Sequence, residues 1–352
     1  MTPVKNVSRG HVRSSLSRFR RSALFASALL MLPACASPFV GTATTKNTLV
    51  IYTDAMPTSI ALFGDKAWFA YGESVNAQSG VEFIQGHQHA TVLRSDPEFI
   101  VQDVIGTPGG VWFSASQGHH KGILGTVSAK GLVDRFIFTG DYADVTYDSL
   151  HHGFVFSRGN ANDYGRIQAG RLSSCKLPEG SLWESKDEGP RFIAAGGGTV
   201  WLFSDVETSL IMLGRECGRP LMVRVPLPGP NMPRDLGGLA VDGNGAAWLL
   251  NIKEATVIVV TRKGLLSVLH PEISGKLSSI NAVDGTICVT SDRPSLIGCY
   301  VNRRWRTRPL PLAGSVSAVT ADHSYVWLAY DGLDNWDTGA LVRAARSSFL
   351  PF

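Results

Sequence analysis

From residue 48 onward, short apolar runs alternate with breaks rich in glycine, aspartate and asparagine. The clearest unit is Leu239-Ala-Val-Asp-Gly-Asn-Gly-Ala-Ala-Trp-Leu-Leu-Asn251, in which Leu239, Val241, Trp248 and Leu250 flank the polar turn at period two. Residues that tolerate positive φ between such flanks predict a β-hairpin. The pattern recurs as SIALFGDKAWFA (59–70), DVIGTPGGVWFSA (103–115), DVTYDSLHHGFVFS (144–157), RFIAAGGGTVWLFS (191–204), SINAVDGTICVTS (279–291) and AVTADHSYVWLAY (318–330). In each, a large residue leads into the second strand.

Taking Trp68, Trp112, Phe154, Trp201, Trp248, Cys288 and Trp327 as equivalent gives steps of 44, 42, 47, 47, 40 and 39 residues. Helical repeats of that length would place apolar residues at i, i+3 and i+4, whereas these segments alternate. A strand-only period of about 43 predicts propeller blades of four strands each, and seven occurrences predict seven blades. Later units supply the remaining strands, as in 209–217 and 219–229 after the fourth hairpin. The seventh unit has only Ala340–Arg346 left, so Thr48–Asp54 is expected to complete its sheet. Such sharing closes the ring with N- and C-terminal strands and removes two exposed edges. The fold class expected is therefore all-β, a seven-bladed propeller over 48–352.

The run of a hairpin like 238–251, a short strand and a strand ending in Pro-Leu-Pro-Gly (226–229) resembles the repeat of virginiamycin B (streptogramin) lyase-type propellers. The resemblance covers almost all of 48–352 at the level of the repeat. It implies a channel-mouth site, which in those lyases is formed in the later blades by histidines and a glutamate holding Mg²⁺. The last two units here contain only His323, in a predicted turn, so no catalytic residue is carried over.

The N-terminal segment changes the charge picture. Before Cys35 lie six bases, no acid, and the apolar run Ala23–Leu32. That run is half the length needed to cross a bilayer, so residues 1–34 read as an export signal peptide. Leu32-Pro-Ala-Cys35 resembles a lipobox, with Cys35 as the lipidation site and residues 35–47 as a polar tether; an ordinary signal peptide is the alternative. The full chain is +4, but removing those six bases leaves 27 against 29 acids, a balance of −2. No basic-domain case for nucleic-acid binding remains. The expected location is the periplasm or outer membrane of a Gram-negative bacterium, with membrane contact only through Cys35.

Cys288 and Cys299 lie symmetrically about Arg293-Pro294, which predicts a cross-strand disulfide in an oxidising compartment. For Cys175 and Cys217, flanking the fourth blade, a bridge and two buried thiols both remain open.

In a propeller, the loops between blades and between second and third strands frame one channel mouth. Acids outnumber bases in those predicted loops, so an acidic end is expected to attract cations or a basic partner surface. Asp331, Asp334 and Asp337 form the densest group of oxygen ligands, with Trp336 among them as an indole expected to mark a binding surface, and Asn162 with Asp163 is the counterpart in the third blade. Either loop could hold a divalent cation such as Ca²⁺, though neither has EF-hand spacing. His270 and Glu272, in the loop before the sixth blade, are the candidate acid/base pair. Two functions are therefore expected in competition: a binding or assembly module taking a protein or small-molecule ligand at the acidic face, and a metal-dependent lyase or hydrolase at the channel mouth.

Overall fold

A computed structural model describes residues 39–45, 47–53, 55–72, 79–86, 88–94, 99–117, 121–139, 141–159, 163–177, 192–204, 208–214, 217–227, 236–333 and 339–350. The first two strands, β1 (Phe39–Thr45) and β2 (Thr48–Thr53), belong to the last blade. Blade one comprises β3 (Pro57–Phe63), β4 (Lys66–Tyr71), β5 (Gly80–Gln85) and β6 (Gln88–Arg94), and blade two β7 (Phe99–Thr107), β8 (Gly110–Gln117), β9 (Lys121–Ser128) and β10 (Gly131–Thr139). Blade three holds β11 (Asp141–Asp148), β12 (Gly153–Gly159), β13 (Asp163–Gln168) and β14 (Arg171–Lys176), and blade four β15 (Phe192–Gly196), β16 (Thr199–Ser204), β17 (Ser209–Met212) and β18 (Leu221–Arg224). Blade five is β19 (Leu236–Val241), β20 (Ala247–Asn251), β21 (Thr256–Val260) and β22 (Leu266–Leu269); blade six is β23 (Lys276–Val283), β24 (Thr286–Asp292), β25 (Leu296–Val301) and β26 (Arg304–Pro309). Blade seven takes β27 (Ser315–Ala321), β28 (Tyr325–Gly332) and β29 (Gly339–Ala345), and a helical turn, α1 (Arg346–Phe349), follows.

All pairings are antiparallel, and the seven sheets stand in a ring as a seven-bladed propeller. The fourth strand of blade seven is β2, paired with β29 from Thr48↔Ala344 to Thr53↔Gly339. Residues 39–45, read as part of a polar tether, form β1, a fifth strand paired with β2 from Phe39↔Thr53 to Thr45↔Thr48. The reason is local: the exposed edge of β2 offers unpaired backbone groups, and a Thr- and Val-containing segment can satisfy them without a hydrophobic pattern of its own.

The apolar core is divided among seven clusters, each filling one seam between adjacent blades. Trp68 and Phe83 of blade one meet Val104 and Phe113 of blade two, and Trp201 and Phe203 of blade four meet Leu249 and Ile258 of blade five. The seam from blade seven to blade one joins Ile51 and Leu341 to Ile60 and Phe69. Second and third strands are buried on both faces, as Trp-Leu-Phe in β16 and Thr256–Val260 in β21 show, whereas outer strands such as β22 and β26 are largely exposed. The arginines at 304, 306 and 308 on β26 put charge along a free edge, which discourages pairing with another chain.

Innermost strands carry a second device. In all of them but β15 the register breaks near the start, between Pro57/Ser59, Val101/Asp103, Tyr142/Val145, Leu236/Gly238, Leu277/Ser279 and Val316/Ala318. Polar side chains at or near these bulges reach the neighbouring blade. The Val104 N–H donates to Ser59 Oγ at 2.7 Å, the Ile193 N–H to Asp144 Oδ2 at 2.8 Å and the Val319 N–H to Asn281 Oδ1 at 3.2 Å. Ser317 Oγ donates to Pro57 O at 2.7 Å, tying blade seven to blade one.

Both cysteine pairs are disulfides. Cys288 and Cys299 face each other across β24 and β25 with Cα atoms 4.0 Å apart, the close spacing of a non-hydrogen-bonded antiparallel pair. Cys175 on β14 is joined to Cys217, between β17 and β18, across 5.2 Å, so this bridge staples blade three to blade four.

Candidate functional site

Second strands run from the hairpin-turn end of the ring to the end bearing the links between blades. Asp292 closes β24 there and Asp331 lies next to the end of β28, on the adjacent blades six and seven. Asp292 is opposite Lys276 in the β23–β24 register, and Ser315 begins the strand beside Asp331. One carboxylate oxygen of each, Asp292 Oδ1 and Asp331 Oδ1, is buried without a hydrogen-bond partner. Burial raises both carboxyls above the ordinary range; the Asp292 charge raises Asp331 further, and the Ser315 hydrogen bond lowers it. Lys276 and Arg293 pull Asp292 part of the way back.

Two half-buried carboxyl groups, the charge of one raising the other and each with a buried unused oxygen, are an incomplete set of donors. A cation between them would relieve both costs, since hard cations are held by carboxylate oxygen. The pair supplies two protein ligands, and among the described residues no group of three His, Cys, Asp or Glu side chains converges to hold a metal. An incoming cation would therefore bring most of its coordination as water or partner groups.

A second acidic pair lies on the innermost strands. Asp103 of β7 and Asp144 of β11 occupy the register breaks of blades two and three. Burial pushes Asp103 up to about 6, against hydrogen bonds from Ser59 and the Val104 backbone. Asp144 is raised well above the ordinary carboxylate value, first by burial and then by the Asp103 charge, although Val145 N–H and Ile193 N–H each donate to it at 2.8 Å. Those backbone bonds make Asp144, within β11, an inter-blade clip.

Of the residues singled out from sequence, Asp331 takes part in the pair just described. Asp334, Trp336, Asp337, Asn162 and Cys35 lie outside the described residues. Asp163 begins β13 in blade three, where it accepts a hydrogen bond from Ser174 Oγ, and is therefore not a neighbour of Asp331 in the blade order. His270 and Glu272 are both exposed between β22 and β23, and no hydrogen bond joins them. Elsewhere, His89 of β6 pairs with Glu82, fully buried in β5, to which Thr91 Oγ1 also donates at 2.7 Å. His151 Nδ1 lies 2.6 Å from Asp148 Oδ2, which Arg166 Nη2 also contacts at 3.2 Å. His89 and His151 thus each have a local acid, in blades one and three, and the two pairs do not assemble into one site.

Three residues of interest were missed from sequence. Glu82 had a signal, an acid centred in the apolar run Gly-Val-Glu-Phe-Ile. Asp103 stood at the start of a recognised repeat. Nothing in the sequence paired Asp292 with Asp331, because they are 39 residues apart and meet only through the ring.

Against known proteins, no family model matches this chain, and no curated protein matches it in sequence. Solved structures do. Virginiamycin B lyase from Staphylococcus aureus superposes with a TM-score of 0.63 at 17% identity, over 84% of this chain and 99% of that one. This chain shares the fold of that lyase. A catalytically inactive variant of the same enzyme with quinupristin gives 0.64 at 17% identity, over 86% and 99%, and a streptogramin B lyase gives 0.61 at 18%, over 84% and 97%. At these identities the likeness is one of architecture, and the roles of side chains must come from this chain.

Proposed function

We propose that this propeller is a binding module of the bacterial cell envelope that takes a cationic ligand, a divalent metal ion or a basic group of a partner, at the link-bearing end of blades six and seven. The observation that carries the reading is the pair of buried, unpartnered oxygens Asp292 Oδ1 and Asp331 Oδ1 on adjacent blades. Asp334 and Asp337 follow Asp331 closely in sequence and make this stretch of the chain acidic. The envelope location rests on residues 1–35, whose basic start, apolar run and Cys35 resemble a lipoprotein signal. The test is a thermal-shift and calorimetric titration with Ca²⁺, Mg²⁺ and Mn²⁺ on the wild type, Asp331→Asn and Asp292→Asn. Saturable stabilisation that both substitutions weaken supports the site. Binding that neither alters places the ligand elsewhere, and no response to any ion leaves the partner's basic group, sought by crosslinking in envelope fractions, as the remaining form of the reading.

A lyase reading is favoured by one observation, the fold shared with streptogramin lyases. Its requirement is a histidine and carboxylates around one pocket. Incubation with quinupristin and Mg²⁺, followed by chromatography, tests it directly: consumption of the antibiotic supports it, and an unchanged peak argues for the binding module.

A further inference from the structure

The seam between blades one and two differs from its counterpart between blades four and five. In the latter, Trp201 Nε1 donates at 3.0 Å to the carbonyl of Gly245, in the hairpin turn of the next blade, three residues before Trp248. The matching indole in blade one is Trp68, and the residue three before Trp112 is Gly109. Here the bond is not made. Trp68 Nε1 is buried and has no partner, and beside it lies a cavity of about 400 Å³ at the hairpin-turn end of the seam. That volume falls within the range of small-molecule sites.

Glycines keep the space open. A Cβ at Gly64 or Gly110, on opposite sides of the cavity, would meet no atom within 4 Å. The wall is apolar on the blade-two side, formed by Val111 and the exposed Val133, and Phe63, paired with Lys66 in the β3–β4 register, adds an exposed ring on the blade-one side. The blade-one side is otherwise set by β4. Lys66 and Trp68, two residues apart on one strand, project from the same face. The Lys66 ammonium lies 5.4 Å from the Phe83 ring centre, and that ring is 5.1 Å from the Trp68 indole. Lys66 is also 3.5 Å from Asp65 Oδ1, but that carboxylate is 70% exposed and accepts a hydrogen bond from Gln85, so the ion pair is screened and weak.

A cation and an unmet N–H on one strand face, opposite an apolar wall, call for a ligand with two acceptor oxygens at one end and a hydrocarbon body at the other. We propose that this cavity binds a small apolar carboxylate, its carboxylate received by Lys66 and Trp68 Nε1 and its body packed against Phe63, Val111 and Val133. The site is at the opposite end of the ring from Asp292 and Asp331 and does not rest on the function proposed for them.

The test uses the full chain with 4-phenylbutyrate as probe and 4-phenylbutan-1-ol as its uncharged counterpart, read by ligand-observed NMR and calorimetry. Saturable binding of the acid, at least about tenfold tighter than the alcohol, is expected, with a loss of about tenfold in Lys66→Met and abolition in Ala129→Trp, which puts an indole on a residue lining the cavity. Equal binding of acid and alcohol, or full affinity in Lys66→Met, overturns carboxylate recognition. Full affinity in Ala129→Trp overturns the location, and absence of saturation in the wild type by about 10 mM overturns the proposal altogether. Lys66→Met keeps the aliphatic stem, so it remains informative if Ala129→Trp fails to fold.

Discussion

Replacing Asp103 by asparagine should stabilise the protein at neutral pH and leave it unchanged in acid. Asp103 lies at the register break of β7, where burial raises its carboxyl from 3.8 to about 6 while Ser59 and the Val104 N–H hold it in place. A group whose folded value is raised binds its proton more tightly when folded. Its contribution is therefore full below the unfolded value near 3.8 and is lost as pH rises through about 6. At 1.36 kcal/mol per pH unit the interval corresponds to about 3 kcal/mol, an upper bound because channel-side solvent reaches part of the side chain. Asparagine is nearly isosteric with the protonated acid and carries no charge at any pH. It also removes the charge that raises Asp144, which acts in the same direction. The assay is urea denaturation of wild type and Asp103→Asn at a series of pH values from about 4 to about 8, read as the difference between the two so that titrations elsewhere cancel. The difference should be near zero at about pH 4 and grow to between about 1 and 3 kcal/mol in favour of the variant by about pH 7. A difference that stays constant across the range would falsify the assignment of a raised, buried carboxyl at this position.

Three further outcomes follow from packing and covalent structure. Removing the Cys175–Cys217 bridge with serines should cost more than removing Cys288–Cys299, about 4 against about 3 kcal/mol, because the first closes a loop of 42 residues and the second one of 11; urea midpoints of the two double variants check the order. Gly165→Ala should destabilise by at least about 2 kcal/mol, since its Cβ would stand 2.0 Å from Cζ of the fully buried Phe156, whereas Gly332→Ala, with open space at the same position, should be near neutral in the same thermal melt. Trp201→Phe loses its bond to Gly245 O, though Thr199 Oγ1 still donates to that carbonyl at 3.0 Å; Trp68→Phe loses no bond, so Trp201→Phe should cost about 1 kcal/mol more in chemical denaturation.

The hairpins were legible because two signals coincide in them: turn residues that accept positive φ, and a bulky residue starting the second strand. Gly64, Gly245 and Asp284 do adopt positive φ in their turns. Thr48–Thr53 was legible as the missing strand of blade seven by elimination, since the last unit lacked one. Phe39–Thr45 was not, because an edge strand held mainly by backbone bonds needs no alternation that sequence could display. The Cys288–Cys299 bridge followed from symmetry about a turn, a local property. Asp292 and Asp331 could not be paired in advance: each looks like an ordinary acid at a strand end, and their coupling exists only because consecutive second strands end side by side.

The repeat itself shows where chemistry departs from packing. Counting nine or ten residues back from the large residue of each second strand reaches the same innermost position: Ser59, Asp103, Asp144, Phe192, Gly238, Ser279 and Ala318. A propeller brings its innermost strands closer together than any others, so this is the position at which like charges on neighbouring blades interact most strongly. Five of the seven are uncharged. The two acids occupy consecutive blades, where the Asp103 charge does raise Asp144. Packing alone gives no reason for that choice, because Ser59 makes the same kind of inter-blade bond without charge, through the Val104 N–H. If the pair serves only as a clip, Asp144→Asn together with Asp103→Ser should retain the ligand binding of the wild type while gaining stability at neutral pH. Loss of cation binding in that double variant, with the fold intact by circular dichroism, would instead extend the proposed site from the rim into the channel.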